Sequence, residues 1–68
     1  MKKVINLIRY YCDYCYDNSK TCKDFIKCLK INLNDVFHEI KYLVNECKEE
    51  SNSLEDLYNC VYDFLDLV

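Results

Sequence analysis

Apolar residues return along this chain at helical intervals, broken by short polar runs. From residue 2 to about 17, Val4, Ile5, Leu7, Ile8, Tyr11, Cys12 and Cys15 fall on one face, with Asn6, Arg9, Asp13 and Asp17 opposite. The run "DNSKT" then breaks the pattern with cap-forming residues. A second stripe, Cys22, Phe25, Ile26 and Leu29, predicts a helix over about 20–30. A third is predicted from near Asn32, with Asp35 completing an Asn variant of the capping box, to about Glu50. Its broad apolar face holds Leu33, Val36, Phe37, Ile40, Leu43, Val44 and Cys47. After "EESNS", Ser53 and Asp56 form another capping pair, and Leu54, Leu57, Tyr58, Val61, Leu65 and Val68 make the inward stripe of a last helix. No internal repeat is evident at this level. The expected fold is all-α: one small domain, residues 1–68, a compact bundle of four short helices joined by short connections.

Composition supports this and bounds the rest. The chain has 68 residues and no Gly or Pro, so tight hairpins and sharp sheet corners lack their usual residues. Ala and Gln are also missing while Lys, Asn, Ile and Tyr abound, a skew that an AT-rich genome explains. A core this small is marginal alone, which favours a homodimer. The opening "MKKVINLIRYY" begins like a signal peptide, but Asn6 and Arg9 interrupt its apolar run and no small-residue cleavage site follows. No stretch is long enough to span a membrane. A cytoplasmic, reducing setting is therefore expected, where disulfides are rare.

Six cysteines admit three readings. Cys12, Cys15, Cys22 and Cys28 could supply four thiolates to a tetrahedral zinc ion, and their opening C-x2-C-x6-C resembles half of the fungal binuclear zinc cluster. The second such set is missing, because Cys47 and Cys60 stand far off. An even cysteine count in a small domain admits disulfides, against which the expected compartment argues. The third reading, which we adopt with no cofactor required, makes cysteine a small core residue in a chain without alanine. Cys12, Cys15, Cys22 and Cys47 lie on inward faces, whereas Cys28 and Cys60 lie off the stripes and are expected to be reactive or interfacial.

Charge is sorted by helix. Lys20, Lys23, Lys27 and Lys30 crowd one sector of the second helix, and Glu55, Asp56, Asn59, Asp63 and Asp66 one sector of the last. Asp63 and Asp66 sit near a helix C-terminus, and Lys2 and Lys3 near an N-terminus with Asp13 and Asp17 at the other end. Each such inversion opposes the helix dipole by about 0.3–1 kcal/mol at an exposed site, which suggests that the charges serve a partner surface. Tyr10, Tyr14, Tyr16, Tyr42 and Tyr62 are expected to face outward, and tyrosine is enriched at binding surfaces. Tyrosines beside acids suit a protein partner with a basic surface.

The stretch "DFIKCLKINLNDVFHEIKYL", Asp24 to Leu43, resembles a helix-turn-helix of the transcription-regulator type, with Phe25, Leu29, Ile31, Val36, Ile40 and Leu43 at its apolar positions. The turn glycine is Lys30 here, and another helix stands where a wing would follow. The resemblance implies a DNA-binding dimer. Its third helix would present Asn34, His38 and Lys41 to base edges, and Lys20, Lys23, Lys27 and Lys30 would touch phosphate.

Catalytic equipment is sparse. His38 is the one histidine, and motifs that need glycine cannot form. The expected function is therefore non-enzymatic: a small acidic binding protein, an accessory regulator or inhibitor of the kind phages and mobile elements encode. Its contact residues would be Tyr10, Tyr14, Tyr16, Glu55, Asp56, Asp63 and Asp66. DNA binding by the helix-turn-helix is the alternative.

Overall fold

The computed structural model describes residues 2–67 and contains four helices: α1 (Lys2–Asp17), α2 (Cys22–Asn32), α3 (Phe37–Glu50) and α4 (Leu54–Asp66). Among the described residues there is no strand. The side chain of Lys2 and the whole of Val68, which the expected charge pattern and the last stripe included, lie outside the described residues.

The helix starts follow from local chemistry. Thr21 and Ser53 adopt extended backbone before α2 and α4, and their hydroxyls accept from the amides of Asp24 and Asp56, both at 3.2 Å. Asp56 also reaches back to the Asn52 amide at 3.4 Å, close to the predicted capping pair. The capping pair expected at Asn32 and Asp35 does not form. Asn32 is instead the last residue of α2, its side-chain amide donating to the Cys28 carbonyl at 2.8 Å. Leu33 to Val36 then make a turn, closed by the Val36 amide on the Leu33 carbonyl at 2.9 Å. Leu33 is buried, so it anchors this turn in the core and delays α3 to Phe37. Lys20 lies before α2, so only Lys23, Lys27 and Lys30 form its basic rail.

Among the described residues thirteen apolar side chains make one core, with Cys12, Cys15, Phe25, Leu29, Val44, Cys47, Leu57 and Val61 wholly excluded from solvent. Of the inward cysteines, Cys12, Cys15 and Cys47 are buried and Cys22 is half-buried against the core, but Cys15 and Cys47 are not free. Cys15 is bonded to Cys28 and Cys47 to Cys60, with Cα atoms 5.6 and 5.7 Å apart, inside the normal disulfide range. This corrects the reading of six reduced thiols. Cys28 and Cys60 sit off their stripes because they flank them, where a side chain meets the neighbouring helix of its own hairpin. Each bridge spans 13 residues, and closing a loop of that size stabilises a fold by about 3 kcal/mol in the chain-entropy account. The radius of gyration, 10.6 Å, matches the roughly 11 Å of a tightly folded chain of this length.

The staples expose an internal repeat that periodicity had hidden. An offset of 32 residues carries Cys15 onto Cys47 and Cys28 onto Cys60. The same offset pairs the buried residues Ile8 with Ile40, Cys12 with Val44, Phe25 with Leu57, Leu29 with Val61 and Leu33 with Leu65. It also pairs the two N-caps, Thr21 with Ser53, their N3 acids, Asp24 with Asp56, and the first residues of α2 and α4. Even the loops agree: the Ser19 amide donates to the Tyr16 carbonyl at 3.5 Å and the Ser51 amide to that of Lys48 at 3.3 Å. The protein is two stapled helical hairpins, α1–α2 and α3–α4. Across the interface α1 packs on α4 and α2 on α3, α2 meets α4, and among the described residues α1 does not meet α3. That pattern maps onto itself when the hairpins are exchanged.

Candidate functional site

Three surface features carry polar or aromatic chemistry. The first is the seam of α1 and α4. Arg9 pairs with Asp66 and lies 5.7 Å from the centre of the Tyr62 ring, within cation–π range. Tyr62 stacks on Tyr58, and Tyr58 on Tyr16, with centroids 5.3 and 4.6 Å apart. The Tyr58 hydroxyl donates to the Asp13 carboxylate. Burial, and then this bond to Asp13, push the Tyr58 phenol above its ordinary range, so it remains a donor.

This seam changes the picture of the acidic surface. Tyr16 and Tyr62, expected to face outward, are half-buried against the core. Asp66 and Asp13 oppose their helix dipoles, yet each has a partner on the facing helix, Arg9 and Tyr58. Their placement therefore has an internal cause. Glu55, Asp56 and Asp63 remain exposed on α4, Asp56 in its capping role.

The second feature surrounds Tyr10, Tyr11 and Tyr14, which meet edge to face at 5.2 and 6.2 Å. Tyr10 is 63% exposed and Tyr14 47%. Tyr14 forms one wall of an open groove of about 350 Å³ between the end of α1 and α2, whose other walls include Asp24, Lys27, Cys28 and Ile31. Ile31, an apolar position of the helix-turn-helix resemblance, is 67% exposed here. The Cys15–Cys28 bridge fixes the distance between the groove's two walls. Tyr42, alone on α3, is more exposed still.

The third feature lies where α2 turns into α3. Lys30, Asn34, His38 and Lys41 line one pocket of about 230 Å³ with Phe37 beside them. Lys20, Lys23 and Lys27 of the expected nucleic-acid set are exposed but not part of it.

The four cysteines of the zinc reading are not gathered. Cys15 and Cys28 are spent in a disulfide, leaving Cys12 and Cys22 as free thiols. Among the described residues no group of three or more His, Cys, Asp or Glu side chains is placed to hold a metal ion. Burial, then the charge of Asp13, push the Cys12 thiol up to about 12, so it stays protonated and is a poor nucleophile. The sequence signals for these pairings were the two equal cysteine spacings and the 32-residue repeat of cap and core positions around them. The convergence of Lys30 with Lys41 required the turn at Leu33–Val36, which periodicity did not show. No helix among the described residues is long and apolar enough to cross a membrane. No protein-family model matches the chain, and no curated protein or solved structure is significantly similar to it.

Proposed function

We propose that this protein is a non-enzymatic binding protein that acts through protein–protein contacts, as an accessory regulator or inhibitor. The observation that carries this reading is the groove between α1 and α2, with Tyr10, Tyr14 and Ile31 exposed around walls that a disulfide holds. Large apolar side chains left in solvent on a rigid support are the usual anchors of an interface, and rigidity reduces the ordering cost of binding. At the equivalent positions of the second hairpin stand acids: Glu46 for Tyr14, Glu50 for Asn18 and Asp63 for Ile31. A partner that engages both hairpins would bring an apolar patch to the first and basic residues to the second.

The setting is part of the reading. Two disulfides weigh against the cytoplasmic location expected from the sequence, since such bonds persist in oxidising compartments. They also supply the staples that a small core otherwise finds in a second copy, so the protein works as a monomer in this reading.

The test is affinity capture with quantitative mass spectrometry, comparing the parent with Tyr10→Ser/Tyr14→Ser/Ile31→Ser and with Tyr42→Ser. At least one captured protein should fall tenfold or more with the triple variant and hold with Tyr42→Ser. Equal recovery of every protein from parent and triple variant, with circular dichroism unchanged, refutes the proposal.

A further inference from the structure

The 32-residue repeat gives the pocket between α2 and α3 a counterpart in the same molecule. Lys41 corresponds to Arg9, Asn34 to Asp66 and Lys30 to Tyr62. In the counterpart, at the α1–α4 seam, the cation Arg9 holds the carboxylate of Asp66 beside the Tyr62 ring. In the pocket the cation is kept as Lys41, but the carboxylate has become the neutral amide of Asn34. A second cation, Lys30, replaces the tyrosine, and His38 stands where the counterpart has Asn6. The internal anion is gone and positive charge has been added.

No acid among the described residues lines the pocket to make up the difference. Asp35 and Glu39 are the nearest acids in sequence, and neither lines the pocket. Among the described residues neither Lys30 nor Lys41 is in an ion pair. Holding two ammonium groups on one small cavity is unfavourable unless an anion joins them. Phe37 and His38, which line the pocket, open α3, so the positive end of that helix lies beside the two lysines.

We infer that this pocket binds the phosphoryl group of a phosphate monoester, in the place that a carboxylate fills at the α1–α4 seam. A carboxylate carries one charge and is matched there by one cation. A phosphomonoester carries about −1.5 to −2 near neutrality, which suits two lysines with amide and imidazole donors around them. The cavity, about 230 Å³, is smaller than most sites for drug-sized ligands, so it suits one such group and little more. A phosphodiester, with a single charge per phosphate, leaves one lysine unmatched. The ester is therefore a small molecule or a phosphorylated side chain, and not a nucleic-acid backbone.

The test is an NMR titration of the isotope-labelled chain, disulfides intact, in chloride buffer at fixed ionic strength. Phenyl phosphate is the monoester probe and dimethyl phosphate the diester. Phenyl phosphate should produce saturable amide shifts confined to residues 30–41, with a dissociation constant at least tenfold below that of dimethyl phosphate. Lys30→Gln/Lys41→Gln should weaken binding tenfold or more. Asn34→Asp, which restores the internal carboxylate, should do the same while leaving the remaining amide spectrum in place. A phosphoserine peptide that binds more tightly than phosphoserine itself assigns the group to a phosphorylated protein, and equal binding assigns it to a small ester. Shifts spread evenly over Lys23, Lys27 and Lys48, equal response to the diester, preference for duplex DNA, or undiminished binding in Asn34→Asp would each overturn the inference.

Discussion

The first and second hairpins share a plan and differ in what they show to solvent. Both begin their second helix at a hydroxyl cap, both are stapled across 13 residues, and both bury the same six positions, to which the second hairpin adds Phe37. Nine positions keep the same residue under the 32-residue offset: Val4 and Val36, Ile8 and Ile40, Tyr10 and Tyr42, Cys15 and Cys47, Ser19 and Ser51, Asp24 and Asp56, Cys28 and Cys60, Leu33 and Leu65, Val36 and Val68. Most of these are core, staple or cap residues. Outside them the halves diverge, with lysines on α2 and acids on α4. The fold thus depends on a small repeated set of positions, and the outer faces are left free to specialise.

The largest test of that equivalence is in the core. Phe25 and Leu57 are both wholly buried at matching places. Phe25→Ala should cost about 3–5 kcal/mol and Leu57→Ala about 2–5 kcal/mol, read from urea unfolding midpoints with the slope unchanged. If either costs under about 1 kcal/mol, the two hairpins do not share one core.

Next come the staples. Removing Cys15 and Cys28 as a pair to alanine, or Cys47 and Cys60 as a pair, should each cost about 3 kcal/mol, and nearly the same amount, because the closed loops are equal. A loss in one hairpin only would break the comparison. Thiol counting checks the pairing itself. In denaturant without reductant, iodoacetamide should add two labels, and after reduction six. In the native protein at pH 8, half-buried Cys22 should react well before Cys12, whose thiol burial holds protonated. Since the folded value is raised above the ordinary 9.0, the Cys12 thiol leaves stability untouched below about pH 9. It lowers stability as pH climbs from there to about 12.

What the sequence made legible was the part that periodicity carries. Four helices, the breaks at "DNSKT" and "EESNS", and the Ser53 cap all stand, because apolar spacing and a hydroxyl followed by an acid act locally. The start of α3 went astray because Leu33 continues the apolar stripe although its backbone leaves the helix to seat it in the core. Disulfides were set aside on the expected reducing compartment, and Cys12 and Cys22, which correspond to Val44 and Leu54, blurred the two equal spacings into a run of four cysteines. Tyr16 and Tyr62 were placed outward by a helical wheel that knows nothing of the facing helix. Of the surfaces, the exposed Tyr10, Tyr14 and α4 acids were legible, and the pocket of Lys30 and Lys41 depended on a turn that no local pattern announces.

Smaller effects test the caps. Thr21→Ala and Ser53→Ala each remove an acceptor from the first turn of a helix and should cost about 1 kcal/mol. Similar losses are expected by thermal or urea unfolding. A cap that costs nothing would mean that its helix start is held by the staple and not by the hydroxyl.

The finest test exchanges the carboxylate-for-amide difference between the two junctions. Asp66→Asn should cost between about 0.2 and 1 kcal/mol, the range for an exposed ion pair, since Asp66 is 59% exposed and Arg9 keeps its contact with Tyr62. Asn34→Asp runs the change the other way and places a carboxylate beside Lys30 and Lys41, so it should stabilise by a similar amount at low salt. Opposite signs in the two variants, both shrinking as salt rises, would show that the junctions are electrostatic counterparts. If Asn34→Asp destabilises, its carboxylate does not reach the lysines, and the likeness between the junctions stops at the backbone. Both effects are small beside the core and the staples. A site can therefore lose its internal anion at little cost to the fold, which is how one half of a repeated structure becomes free to bind an anion from outside.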